Sequence, residues 1–599
     1  MSAPDLEDLL AQPVEAAKYD LADAALGRTG PDIASAIDRA TGKDAKKLRK
    51  QAALLTRSLQ LSHSDDPAQG TKLALRALDI NPDSPLANHV VGVGAEKLGR
   101  LSLALRFYDR SYKLDPKSPD IYQSLAMVAW KLGMLEAAEK FLRVFCEMLP
   151  GQPNGAVNLG GVLRDQGRFD DAIEVVRAGI YGMPEHADLW NAMGTILIES
   201  GDPQQALVFY QEALRLDPDF GRALNNIAYA HELLGDVEQA LASFDKALKH
   251  AANRDDRIVM THGRSLAYLA AGQLENGWDT YSARLDPGYP EATTFLLKGQ
   301  MWDGADIGEL RGKRLLLVGE QGIGDEVMFL NTARDLIQAL GPDGKLLIAC
   351  EQRLVDLVQR SYPDAIVGAH ASARTEGRDF RTVKALLTDN GPVDYWAPMA
   401  NACRSLRRKI SDFPADPVFL TADEAELAHW QDYLAKRGPG IKVGLLWKSL
   451  KMDAKRKKNF ADFGQWKPIL QTPGVTFVNM QYGDVTEELA RARDEFGVDV
   501  HQPEGIDLKL ELDRVAALGK ALDFIIGPKN ATINLTCAVG GEAWVTAPHN
   551  ASWTAFGTDG FPWYPRARLF HGDGYGDWKT AMSKVVDALQ DRVAQSKAA

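Results

Sequence analysis

KRLLLVGEQGIGDEVMFL, residues Lys313 to Leu330, is the stretch whose reading decides the fold. Leu315 to Val318 form a short continuous apolar run, the pattern of a strand buried on both faces of a parallel sheet. Glycines follow at Gly319, Gly322 and Gly324, and then an amphipathic segment from Glu326 to Leu340 that ends at Gly341-Pro342. Strand, glycine-rich turn and helix together aim backbone N–H groups and a helix N-terminus beyond the strand's carboxyl end, where ligands of α/β sheets bind. Asp325 stands at the start of that helix, where a carboxylate caps the backbone well and is also placed for chemistry.

Toward the C-terminus, short β-rich runs alternate with helical ones. RLLLVG, KLLIACE, AIVGA and VDYWAP form a first group. A helix from Asp423 to Lys436 and a polar Arg437-Gly438-Pro439-Gly440 hinge lead to a second group: IKVGLLW, VTFVNMQ, VDVHQ, LDFIIGP and EAWVTAP. The alternation predicts two Rossmann-like, doubly wound halves, 300–438 and 439–599, with a ligand cleft at the strands' carboxyl ends.

Toward the N-terminus the pattern is a repeat. Gly99, Gly133, Gly167, Gly201 and Gly235 are spaced 34 residues apart, as are Ala104, Ala138, Ala172, Ala206 and Ala240, and Pro82, Pro116, Pro150, Pro184 and Pro218. Glycine closes the turn between two antiparallel helices, alanine lets them approach, and proline ends the second helix before the next unit. That order at that period is the signature of tetratricopeptide repeats. Five units span about Pro85 to Arg254, and an irregular helix pair follows over Asp255 to Leu285, because Gly272 comes three residues late. The repeat domain is therefore expected over 67–290, after a helical segment 1–66 in which KDAKKLRK (Lys43 to Lys50) reads as a solvated face. Stacked repeats form a concave groove that takes a peptide or protein. Asn158 and Asn226 share one repeat position, and Asn191 and Asn225 share another, so these amides are candidates to hold an acceptor's backbone; facing solvent or capping turns is the alternative.

Composition narrows the class. A length of 599 residues exceeds what one core supports. A net charge of −12 argues against a general nucleic-acid binder. No run approaches a membrane span, and MSAPDLEDLLAQPV has neither the basic region nor the apolar core of a secretory signal. Cys146, Cys350, Cys403 and Cys537 lie far apart without zinc-type spacing, which fits a reducing cytoplasm and no metal site.

WDGADIGELRGKRLLLVGEQGIGDEVMF, GLLWKS, FVNMQYGD, and FPWYPRARLF ahead of GDW resemble the C-terminal half of bacterial tetratricopeptide-repeat glycosyltransferases. That half is similar to the heptosyltransferases and, more distantly, to the O-linked N-acetylglucosamine transferase architecture. The nearest resemblance is to flagellin O-glycosyltransferases that use nonulosonic, sialic-acid-like sugars such as pseudaminic acid. The resemblance implies a GT-B fold, an inverting and metal-independent reaction without cofactor, a nucleotide-sugar donor with a CMP-sugar favoured, and flagellin as the protein acceptor held by the repeats. It places the donor mainly on the second half and the acceptor on the first.

Without a metal, the leaving phosphate needs cations and helix N-termini. Lys529, Asn530, Ala531 and Thr532 make the turn from LDFIIGP into a helix and are the expected phosphate cradle, with an ordinary capped helix as the alternative. Lys448, after GLLW, is the expected cation for the phosphate or a donor carboxylate, and Gln481 and Tyr482 are expected at the base or ribose. The basic run KMDAKRKKNF departs from the Arg-containing pattern of the resembled family and leaves the donor's identity open. Asp325 matches the family's Gly-Asp position and is the expected general base, with Glu320, Glu326 and His549 in reserve. FPWYPRARLF reads as packing. Two other classes compete. A dinucleotide-dependent oxidoreductase would use Glu351, but the turn is G-x-x-G-x-G and the acid comes late. A non-catalytic repeat adaptor would carry a degenerate transferase fold.

Overall fold

The computed structural model describes residues 43–62, 66–416, 418–449, 459–549 and 552–598. The N-terminal segment before residue 43 and the basic run from Lys451 to Lys458 therefore lie outside the described residues. The chain forms two compact units: one runs to Ile196 and includes Arg374–Gly377, and the other holds the rest from Leu197 onward.

Helices of a regular repeat occupy the N-terminal part. They run Pro85–Lys97, Leu101–Leu114, Pro119–Lys131, Leu135–Met148, Pro153–Asp165, Phe169–Gly182, Ala187–Ser200, Pro203–Leu216, Gly221–Leu233 and Val237–Lys249. The three sequence series each find their physical cause. Gly99, Gly133, Gly167, Gly201 and Gly235 all take positive φ in the turn between paired helices, a conformation costly for residues with a Cβ. Ala104, Ala138, Ala172, Ala206 and Ala240 are fully buried, so an added methylene at any of them overpacks a helix contact. Each proline of the series stands two residues past the end of a second helix, after Ile80, Leu114, Met148, Gly182 and Leu216. Several first helices open with proline at the position where no N–H is needed; Ser84 caps the first helix Pro85–Lys97 through Ala87 N (3.2 Å), and Asp202 caps the second helix Pro203–Leu216 through Gln205 N (2.9 Å). The irregular pair follows as Arg254–Ala270 and Leu274–Thr280, with a 3₁₀ turn over Tyr281–Leu285. Lys46, Lys47, Arg49 and Lys50 are exposed on the helix Lys43–Ser62, a solvated face.

The second unit carries two five-stranded sheets, parallel throughout. The first has spatial order Gln300–Met301, Tyr395–Pro398, Arg314–Val318, Lys345–Cys350, Ile366–Ala369. Leu315 and Leu317 pack into one core and Leu316 and Val318 into another, which is why the run is apolar without alternation. The helix predicted from Glu326 to Leu340 starts earlier and is broken: Ile323–Phe329, a 3₁₀ turn Leu330–Thr332, then Ala333–Leu340, with Gly341 at φ 70°.

The second sheet has spatial order Val475–Asn479, Ile441–Leu445, Phe524–Pro528, Ala543–Ala547, Ala567–His571. In chain order this is 2-1-3-4-5, and its switch point lies between Ile441–Leu445 and Phe524–Pro528. VDVHQ is not a strand. Only a bridge forms, His501 N to Phe477 O and Asn479 N to His501 O, both 2.8 Å, and Pro503 follows at once without an N–H to extend it. The fifth strand comes instead from ARLFH, within and just past the FPWYPRARLF segment that had read as packing alone. Trp563 of that segment is buried against Phe413 (4.9 Å), Phe556 (5.6 Å) and Phe329 (5.8 Å). A small sheet of Thr294–Phe295, Arg378–Thr382 and Ala371–Thr375 was not foreseen. Among the described residues no helix is long and apolar enough to cross a membrane.

Candidate functional site

Both sheets deliver a helix to the same place. The helix Ile323–Phe329 follows the strand Arg314–Val318, and the helix Ala531–Ala538 follows Phe524–Pro528 beside the switch point. They are joined directly: Asn534 Nδ2 donates to Gly324 O at 2.6 Å. A Cβ on Gly324 would stand 3.0 Å from Asn534 Nδ2 and 3.4 Å from the Ala531 backbone, so this glycine serves a close helix approach. In front of this junction opens a cleft of about 760 Å³. Asp325, Lys529, Asn530 and Ala531 line it, together with Tyr482, Thr546, His549 and Trp553.

Asp325 occupies the third position of its helix, and its Oδ2 accepts the Gly322 N–H at 3.3 Å. Its other oxygen has no hydrogen-bond partner among the described residues. Burial pushes its carboxyl above the ordinary aspartate value, and the Lys529 ammonium pulls it partly back. Lys529 is exposed along the cleft, with Nζ donating to Thr554 Oγ1 at 2.9 Å and lying 5.2 Å from the centre of the Trp553 ring. Desolvation lowers its ammonium below the ordinary lysine value, and Asp325 opposes that. A carboxylate able to take a proton and a cation able to hold an anion thus share one cleft.

The helix Ala531–Ala538 begins in a cap that leaves something over. Asn530 Oδ1 accepts from Ile533 N at 3.1 Å, whereas Asn530 Nδ2 is buried with no hydrogen-bond partner among the described residues. An unmet buried donor costs about 1–3 kcal/mol, so its orientation is not explained by folding. Ala531 lines the cleft, but Thr532 is buried behind it and does not.

The other expected donor groups divide. Tyr482 lines the cleft. Gln481 is buried at 1% exposure and satisfied: its Oε1 accepts from Trp447 N and Lys448 N at 3.1 and 3.0 Å, and its Nε2 donates to Tyr482 O at 3.1 Å. It shapes the loop rather than facing a base or ribose. Lys448 sends its ammonium to Glu488 and to Asp484 O (3.2 Å), so among the described residues the lysine lining the cleft is Lys529. Asn158, Asn191, Asn225 and Asn226 are half-buried on first helices of their repeats, and Asn225 Oδ1 is buried without a partner among the described residues.

The reserve acids are committed elsewhere. Glu320 forms a buried bidentate pair with Arg284 (2.8 and 2.9 Å) and also accepts from Ala400 N at 3.0 Å. Glu326 accepts from Glu351 N and meets His370 Nε2, both at 2.8 Å. Glu351, the acid a dinucleotide reading needs, is bound by Arg353 at 2.9 Å. His549 lines the cleft, and burial together with neighbouring His571 lowers its imidazole to about 4, so it is neutral at neutral pH.

One wall was not foreseen. Tyr229, Glu232 and Leu233, from the repeat helix Gly221–Leu233, also line the cleft. Burial pushes the Glu232 carboxyl up to about 7. Nothing in the 34-residue period distinguishes these positions; they become visible only once the fold brings that helix to the sheets' carboxyl ends.

Fold and repeat together define a tetratricopeptide-repeat protein whose C-terminal region is built on parallel sheets. Tetratricopeptide-repeat models match residues 197–262 and 119–147. The chain is 42% identical over 574 residues to Protein FlbA of Caulobacter vibrioides, covering 96% of this chain and 95% of that protein, and it belongs to the same family. Uncharacterized protein ycf37 of Pyropia yezoensis is 37% identical over 81 residues, 12% of this chain and 46% of that protein. Among solved structures, TTC0263, a thermophilic TPR protein of Thermus thermophilus, is 24% identical with a TM-score of 0.28, covering 30% of this chain and 98% of its own.

Proposed function

We propose that the chain is a protein O-glycosyltransferase of GT-B type that moves a sugar from a nucleotide donor to a serine or threonine of a protein held by the repeats. The observation that carries this reading is the cleft in which Asp325 and Lys529 stand together, at the carboxyl ends of two parallel sheets. Asp325 takes the proton from the acceptor hydroxyl as its oxygen bonds to the anomeric carbon. The bond from that carbon to the donor's phosphate oxygen breaks, and the nucleotide leaves with the electron pair. Lys529, Asn530 Nδ2 and the first N–H groups of the helix Ala531–Ala538 receive the phosphate charge. Attack from the face opposite the leaving group makes the reaction inverting.

The resemblance noted in the sequence extends the proposal to a CMP-activated nonulosonic acid and to flagellin. Intact mass of flagellin co-expressed with and without the chain tests it: a mass gain of one or more nonulosonic acid units is expected, and unchanged mass refutes the acceptor assignment. Titration calorimetry with CMP, UDP and ADP separates transferase from adaptor, since an adaptor binds none of them.

A further inference from the structure

The helix Gly221–Leu233 belongs to the repeats, yet its last turn is part of the cleft. Asn225, Tyr229 and Glu232 follow at intervals of four and three residues, so they share one helix face that ends inside the cleft. Asn225 Oδ1 is buried without a partner among the described residues. The Tyr229 ring is 38% exposed. The Glu232 carboxyl is half-buried, yet it makes no hydrogen bond or ion pair among the described residues. A carboxyl withdrawn from water without a donor is unfavourable, and the deficit is made good when a ligand supplies one.

We propose that Glu232 positions the acceptor, taking a hydrogen bond from a backbone N–H of an extended segment that follows the Asn225–Tyr229–Glu232 stripe into the cleft. This rests on the transferase reading. An extended chain carries N–H donors at regular spacing, which suits the unmet Asn225 oxygen at one end of the stripe and the Glu232 carboxyl at the other.

The experiment measures transfer from a CMP-nonulosonic acid to purified flagellin by the full chain, Glu232→Ala and Glu232→Gln. The Ala variant is expected to raise KM for flagellin by about tenfold or more while KM for the donor moves less than about twofold. The Gln variant, whose amide oxygen still accepts, is expected to stay within about threefold of the parent. If the parent transfers sugar and Glu232→Ala keeps its flagellin KM, the inference fails while the transferase reading stands. It fails too if Glu232→Ala weakens the donor instead, or if Glu232→Gln is as impaired as Glu232→Ala. A parent chain that transfers to no flagellin and binds no nucleotide overturns both.

Discussion

Asp325→Asn separates a proton acceptor from a helix cap. The substitution keeps the size of the side chain and an oxygen to accept the Gly322 N–H, now at 3.3 Å from Oδ2. It removes the lone pair that takes a proton. Losing a negative charge in the first turn of Ile323–Phe329 costs about 0.3–1 kcal/mol. Relief of a buried carboxylate offsets part of that, since burial is the main reason its pKa is raised. Folding stability is therefore expected to change by less than about 1 kcal/mol. Loss of a general base costs about 10²–10⁴ in rate. Asp325→Ala loses the same rate plus the bond to Gly322, a further cost of about 0.5–2 kcal/mol in stability. Initial rates come from intact mass of flagellin with a CMP-nonulosonic acid donor, and stability from urea unfolding followed by tryptophan fluorescence. If Asp325→Asn transfers sugar within about threefold of the parent, Asp325 is a cap and the base lies elsewhere.

Lys529→Met removes the cation that lines the cleft among the described residues and should weaken binding of the CMP-sugar by about 10–100-fold in calorimetry, because a charge-assisted hydrogen bond is lost. The kcat/KM profile against pH should be bell-shaped. Asp325, raised above 3.8, loses its basic form as pH falls through its own value, and Lys529, lowered below 10.5, loses its charge as pH rises through its own. Arg284→Met leaves Glu320 buried and unpaired, so urea unfolding should show a loss of about 3–5 kcal/mol, part of which Glu320→Gln restores in the double variant.

Periodicity carried the repeat architecture in full, because each of its three residue types answers to a local demand: a turn, a helix contact, a helix stop. Strands buried on both faces were equally legible, since RLLLVG and LDFIIGP admit little else. VDVHQ was misread because its apolar alternation is real but Pro503 ends its pairing after one bridge. The site was less legible. Position at a strand's carboxyl end singled out the loops of Asp325 and Lys529, which line the cleft, but the same criterion chose Lys448, and only the fold reveals Glu488 waiting for it across 40 residues. Glu232 carried no local signal at all. A repeat helix looks the same in sequence whether its end faces water or a cleft.

The glycine turn shows why a motif at the right place need not do the expected chemistry. A Cβ on Gly319 would stand 2.3 Å from Glu326 Cδ, so that glycine makes room for a buried carboxylate held by His370 and the Glu351 N–H. Gly322 gives its N–H to Asp325, and Gly324 admits Asn534. All three serve the chain's own side chains, and Gly322 and Gly324 line the cleft as well. On the proposed transferase reading the phosphate belongs to the other helix, where Asn530 has an amide without a partner among the described residues and Lys529 stands beside it. What the turn at Gly319–Gly324 supplies instead is a rigid mount for Asp325: a carboxylate fixed at one oxygen, open at the other, and braced from behind by the second sheet through Asn534. On that reading, a base on one sheet and a phosphate site on the other, with a direct hydrogen bond between their helices, hold proton acceptor and leaving group in one frame. An enzyme whose chemistry is positioning plus charge stabilisation needs such a frame before it needs any further reactive group.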